Sequence, residues 1–184
     1  MTLVEQIVFI AVVAVAVAGV LAALNLASRS SAEPLVEKQA LAIAEAFLAE
    51  AQLMPFTYCD PDDANAATAT SAAGCAVTQE VTTTGVIGPE AGETRYHAVT
   101  PFDNVNDYHN YQSNLDAPPG IKDIAQNPIS ALTGYSVAVN VQEQALGAVP
   151  ATESLLITVT VTGPGGTTVV LDGYRTRYAP NALP

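Results

Sequence analysis

The sequence predicts an α+β protein: one long N-terminal helix, apolar in its first half and amphipathic in its second, packed through that second half on an antiparallel β-sheet head. Three observations predict it. Positions 7–24 carry no charged or polar side chain. Val36, Ala40, Ile43, Phe47, Ala51 and Met54 then recur every three or four residues, the stripe of an amphipathic helix. Toward the other end, apolar residues alternate with small or polar ones at 135–141 and 157–161, and Val169 and Leu171 alternate with Thr168 and Val170, the period of half-buried strands.

The composition agrees with a membrane or polymer segment joined to a folded domain. Among 184 residues, 49% are hydrophobic and 13% charged, whereas about a quarter of an ordinary globular sequence is charged. With 18 acidic and 6 basic side chains the net charge is −12, and beyond the helical region the only cations are Arg95, Lys122, Arg175 and Arg177. Neutralising phosphates needs a basic surface, so nucleic acid is not expected as a main ligand.

Taken in order, the first element begins Met-Thr-Leu-Val-Glu-Gln and has no Lys or Arg ahead of the apolar run, which excludes the basic n-region of a secretory signal. As a helix, positions 7–24 span roughly 27 Å, nearly the hydrocarbon thickness of a bilayer. Glu5 stands on the threshold of this run. A carboxylate in hydrocarbon costs several kcal/mol unless it is partnered, and the available cation is the α-amino group of Met1. Within one helix the two sit awkwardly at the ends of the first turn, but a copy shifted along the axis brings its amine to this Glu5. A buried charge left unpartnered costs about 3–5 kcal/mol relative to the made pair, so such pairing would fix axial register.

This start, Met-Thr-Leu-Val-Glu before a long apolar helix, resembles the mature N-terminus of type IV pilins and type II secretion pseudopilins. Farther along, Ser-Ala-Glu-Pro at 31–34 leading into Gln-Ala-Leu-Ala-Ile-Ala-Glu-Ala at 39–46, and the stretches at 161–166 and 173–178, resemble minor pilins of mannose-sensitive haemagglutinin pili. The resemblance implies a processed prepilin with Met1 N-methylated and Thr2, Leu3 and Val4 in a packed filament core. It also implies Glu5 paired with the amine of Met1 in an adjacent subunit. Where many pilins carry a proline, this chain has Ala22. If the helix loosens in a filament, Gly19 is the better candidate, since glycine costs about 1 kcal/mol in a helix interior; close helix packing explains the same residue equally well.

The expected organisation is a helical stem at 1–54, of which 1–27 is the membrane or filament-core segment, then a disulfide loop and connecting region at 55–132, then a C-terminal sheet at 133–184. Pro34 lacks a backbone donor and clashes with the preceding turn, which predicts a kink or short break at 30–34. Lys38, Ala42, Glu45 and Ala49 lie opposite the apolar stripe, and Pro55 marks the stop. Cys59 and Cys75 enclose 15 residues, a spacing that suits a disulfide-closed loop in an oxidising compartment, worth about 3 kcal/mol on the chain-entropy model; the alternative is a pair of buried free thiols. The polar loop between them has no periodicity and is assigned no regular structure. Short strands are expected near 77–81 and 96–100. Gly-Pro-Gly-Gly at 163–166 reads as the turn between the last two strands.

Chemistry is sparsely signalled. Asp60, Asp62, Asp63 and Asn65 begin like a calcium loop, but the sixth position is Asn65 rather than Gly and the twelfth Ser71 rather than Glu, so an EF-hand is excluded. Asp60, Asp62 and Asp63 are left as weak candidates for an irregular site. A second polar cluster, Asp103, Asn104, Asn106 and Asp107, is accounted for by side-chain-to-backbone turn bonds. His97 and His109 are the only histidines, and neither lies in a nucleophile elbow or a zinc-protease motif. No catalytic residue, resident metal or cofactor is expected.

The function these readings imply is a structural, non-enzymatic filament subunit. Its expected partners are further copies of itself in a helical polymer, other pilins and the pilus assembly machinery. Before assembly it would sit in the inner membrane as a single span with its head in the periplasm; afterwards it would form part of an extracellular pilus serving adhesion. The alternatives are a type II secretion pseudopilin and a single-span periplasmic binding protein.

Overall fold

The computed structural model describes residues 2–77, 80, 87–116, 118–123 and 125–181, with the side chains at 26–33 excepted. One helix dominates it: α1, Leu3–Leu53. Met54 caps it in an extended conformation, immediately before the proline that forbids another turn. The break expected at 30–34 does not form, and α1 runs uninterrupted through both Gly19 and Pro34. A proline inside a helix costs about 3 kcal/mol, and Pro34 is exposed. Good helix formers continue on the C-terminal side, and the cost falls on one position without stopping propagation.

The head is a four-stranded antiparallel sheet in the order β1-β2-β3-β4. Its strands are β1 Tyr111–Gln112, β2 Ser136–Glu143, β3 Ser154–Thr162 and β4 Thr168–Thr176. Val139 lies opposite Val159, which lies opposite Leu171, so the alternating apolar residues of neighbouring strands share one face. Gly165 takes the left-handed conformation (φ 73°) in the β3–β4 turn, where a side chain would be strained. The two-residue β1 pairs with β2 through Tyr111–Val139 and Gln112–Ala138; it is too short for its alternation to show in sequence. No strand forms at 96–100, where the chain turns and the backbone amide of Thr100 donates to His97 Nδ1 at 2.9 Å. The strand expected near 77–81 falls largely outside the described residues.

The predicted helix stripe meets the sheet. Ala40, Ile43, Phe47 and Ala51, joined by Ala44, are buried against Val137, Val139, Val141, Leu155, Ile157, Val159 and Val161. Phe102, Val105, Tyr108 and Tyr111 close the same core from the connecting region. Residues from the stem, the connecting region and the C-terminal sheet thus share one core. At Gly173 helix and strand approach so closely that an added Cβ would lie 2.5 Å from Gln52 Nε2 and 2.9 Å from Leu48 Cδ1.

Candidate functional site

The stem begins with a capping box. Thr2 is the N-cap: its hydroxyl accepts from the Glu5 amide at 3.4 Å, while Glu5 Oε2 accepts from the Thr2 amide at 3.2 Å. The Thr-x-x-Glu spacing is the sequence signal for this arrangement; it gives Glu5 a role within its own chain that the charge argument alone does not supply. The carboxylate also complements the positive end of the helix dipole. One such bond uses a fraction of its acceptor capacity, and among the described residues no cation pairs with it. Met1 lies outside the described residues, so its amine, its methylation and its pairing with Glu5 do too. Leu3 and Val4 are exposed, as is every residue of the apolar segment Leu3–Asn25, none of which packs against the head. This segment is long and apolar enough to cross a membrane.

The second feature lies where the chain leaves α1. Cys59 and Cys75 form a disulfide, with Cα atoms 5.4 Å apart. The enclosed loop is built from successive turns and a 3-10 segment at Ala72–Gly74. Asp63 clips it shut, accepting from the amides of Asn65, Ala76 and Val77. Asn181 donates to the carbonyls of Ala66 and Ala69, binding the C-terminal segment to the loop. Asp63 therefore serves the loop itself. Asp60 and Asp62, by contrast, stand beside the second polar cluster and three glutamates from the connecting region.

Together these residues form an acidic cage. Ligand-capable oxygens of Asp60, Asp62 and Asp103 lie within 4.8 Å of one another; the same holds for Asp60, Glu80 and Glu90, and for Glu90, Glu93 and Asp107. Asp60 and Glu90, each common to two sets, join the three. Three contacts with the end of the stem hold the loops: the Glu80 amide donates to Tyr58 O at 3.0 Å, the Val105 amide donates to Pro55 O at 3.0 Å, and Arg95 pairs with Glu50. Asp60, Glu93 and Asp107 are held partly by local turn bonds. Asp107 Oδ2 accepts from the amides of Asp103 and Asn104, at 2.9 and 2.7 Å, which is the turn bonding expected from sequence. That bonding leaves Asp107 Oδ1 buried and without a partner, as are Glu80 Oε1, Glu90 Oε2, Asp103 Oδ1 and Asn106 Oδ1.

Burial without counter-charge sets the electrostatics. Loss of water raises the Glu80 carboxyl to about 10, with the Asp107 and Glu90 charges adding to it and a bond from Asn106 opposing it. Burial is likewise the first cause at Glu93, Asp103 and Asp107, each raised to about 7. For all of them the charged neighbours are other carboxylates. Sequence spacing brought out only two fragments of this cage; Glu80, Glu90 and Glu93 carry no local motif and are recruited by the fold.

A separate cleft of about 530 Å³ is lined by Glu50, Arg95, Tyr96, His97, Phe102 and Lys122, among others. Its Arg95 is paired, and Lys122 Nζ lies 5.0 Å from the Tyr96 ring centroid. Arg95 makes a two-pronged contact with Glu50, 2.7 and 2.5 Å, and Tyr108 Oη donates to Glu50 at 2.8 Å. Among the described residues, His97 Nδ1 lies 2.7 Å from Thr100 Oγ1 and accepts from the Thr100 amide at 2.9 Å, while His109 accepts from the Val141 amide at 3.3 Å.

No family model, curated protein or solved structure matches the chain.

Proposed function

We propose that this protein is a structural filament subunit of the type IV pilin kind, held in the inner membrane by its first helix before assembly and packed through the same helix against other copies afterwards. The observation that carries the reading is the division within α1. From residue 40 onward its apolar face is buried on the sheet, whereas the large apolar side chains of Leu3–Asn25 remain exposed, from 42% at Val13 to 76% at Leu3. Burial is worth about 1.5–3 kcal/mol for each Val, Leu, Ile or Phe removed from water, so this half of the helix requires lipid or neighbouring helices. A rod of the same composition serves both, because lipid tails and apolar helix faces are alike to it.

Glu5 distinguishes a polymer from a simple anchor. In the filament its carboxylate pairs with the amine on Met1 of a neighbouring copy, which sets the register between subunits. As a simple anchor, Glu5 only caps its own helix. Glutamine keeps the capping acceptor and removes the charge; alanine removes both. Filament yield and membrane retention of Glu5→Gln and Glu5→Ala decide between them. The filament reading expects both variants to remain in the membrane and to lose filaments, by tenfold or more, as an unmade buried pair costing about 3–5 kcal/mol requires. Normal filaments from Glu5→Gln refute the register argument, and wild-type protein that is monomeric in the membrane and produces no filaments refutes the reading altogether.

A further inference from the structure

We propose that the acidic cage is a binding site for a hard divalent cation, of the calcium class, centred on Asp60, Glu80 and Glu90. The ligand set is oxygen only, without a histidine or a cysteine thiolate, which selects against transition metals. Its spacing fits as well. Calcium takes six to eight oxygens at about 2.3–2.6 Å, so two ligands of one ion lie at most roughly 5 Å apart, and each acidic trio is gathered within 4.8 Å. Magnesium demands a near-ideal octahedron at about 2.0–2.1 Å and prefers to keep its waters; carboxylates converging from three irregular loops suit the larger, more tolerant ion.

An acidic cluster alone proves little, and a second observation points to a ligand. Glu80, Asn106 and Asp107 are 2%, 5% and 0% exposed, yet Glu80 Oε1, Asn106 Oδ1 and Asp107 Oδ1 have no hydrogen-bond partner. Each of these side chains has its other polar atom engaged: Glu80 Oε2 accepts from Asn106 Nδ2, and Asp107 Oδ2 holds the 103–104 turn. Turn bonding at Asp107 and the Glu80–Asn106 bond thus explain one end of each side chain and leave the other end buried. Unpaired buried acceptors are rare in folded proteins because each forfeits its hydration. A cation accounts for several at once and for the assembly of like charges from sequence-distant loops.

This site is independent of whether the protein polymerises. The test uses the full chain in non-ionic detergent, stripped with a chelator, then titrated with CaCl₂ or MgCl₂ alone by calorimetry and by thermal unfolding. Saturable calcium binding is expected, with a melting temperature raised by about 5–10 °C at a hundredfold excess over the dissociation constant. Glu80→Gln and Asp107→Asn are expected to weaken calcium binding at least tenfold, while Asp172→Asn, an exposed acid bonded to Thr158, leaves it unchanged. Glutamine keeps the shape of Glu80 and an oxygen to accept from Asn106 Nδ2, so Glu80→Gln should melt no lower than the wild type in chelator, which separates lost binding from lost folding. Absence of a calcium response up to about 10 mM, well above the 10⁻⁴–10⁻³ M of weak extracellular calcium modules, overturns the proposal; so does an equal response in Glu80→Gln, or magnesium binding as tight as calcium.

Discussion

Arg95 is the side chain whose loss should most directly uncouple the connecting region from the stem. Its guanidinium is 12% exposed, pairs with Glu50 on α1, and lies 4.4 Å from the Phe47 ring centroid and 4.7 Å from that of Tyr96. Replacement by Met keeps much of the apolar stem but removes the charge and the donors. Breaking a buried pair from one side costs about 3–5 kcal/mol, chiefly through the partner left charged and buried. Glu50 is 33% exposed and regains part of its hydration, and it keeps the bond from Tyr108, which lowers the expected cost to about 2–3 kcal/mol. For a chain of this size that is roughly 5–10 °C in melting temperature. Thermal unfolding of Arg95→Met, Glu50→Gln and the double variant in detergent closes a mutant cycle. The double variant should lose less than the sum of the singles, with a coupling of about 1 kcal/mol or more. A loss below about 1 kcal/mol for Arg95→Met, or strict additivity, would refute the view that this pair pins the loops to α1.

Two further predictions concern packing and protonation. Gly173→Val should cost about 3 kcal/mol because its side chain enters space held by Leu48 and Gln52, and Gly173→Ala clearly less, since Gln52 can swing aside by giving up its bond to Tyr174 O; denaturant unfolding that finds Val within about 1 kcal/mol of wild type contradicts the close approach. In chelator, stability should fall as pH rises. Glu93, Asp103 and Asp107 hold their protons to about 7 in the fold but titrate near 4 when unfolded. The folded state therefore binds more protons between about pH 4 and 7, its advantage is complete below the unfolded value, and it is lost as pH passes through 7. Melting temperatures from pH 5 to 8 should decline in the wild type and flatten in Asp107→Asn; a rise toward pH 8 would contradict the sign.

The helix and the three long strands were legible because their burial repeats locally. One face of α1 between 40 and 51, and alternate residues of β2 and β3, meet the core at the period of their own backbone. At Pro34 the short break does not form, because the local penalty is set against a long helix on either side of it. Pro34 costs a bond, and α1 continues. The expected strand at 96–100 failed for the opposite reason. Its pattern was plausible, but Arg95 is committed to Glu50, and His97 turns the chain by accepting from Thr100. The two-residue β1 has no period to read and exists through its partner β2.

The acidic cage shows a different limit. Asp60 with Asp62, and Asp103 with Asp107, are each explicable as turn formers, and the spacing after Asp60 excludes an EF-hand while leaving only a weak case for an irregular site. The decisive property belongs to neither segment. It arises when a disulfide at Cys59, a backbone bond from Glu80 to Tyr58 and the Val105–Pro55 bond bring both fragments, with Glu80 and Glu90 between them, to the end of one helix. A fold with 5–15 kcal/mol of total stability does not readily tolerate this many buried carboxylates as bare charges. At neutral pH the cage must therefore hold protons or a cation, and the calcium titration with its Glu80→Gln control separates the two.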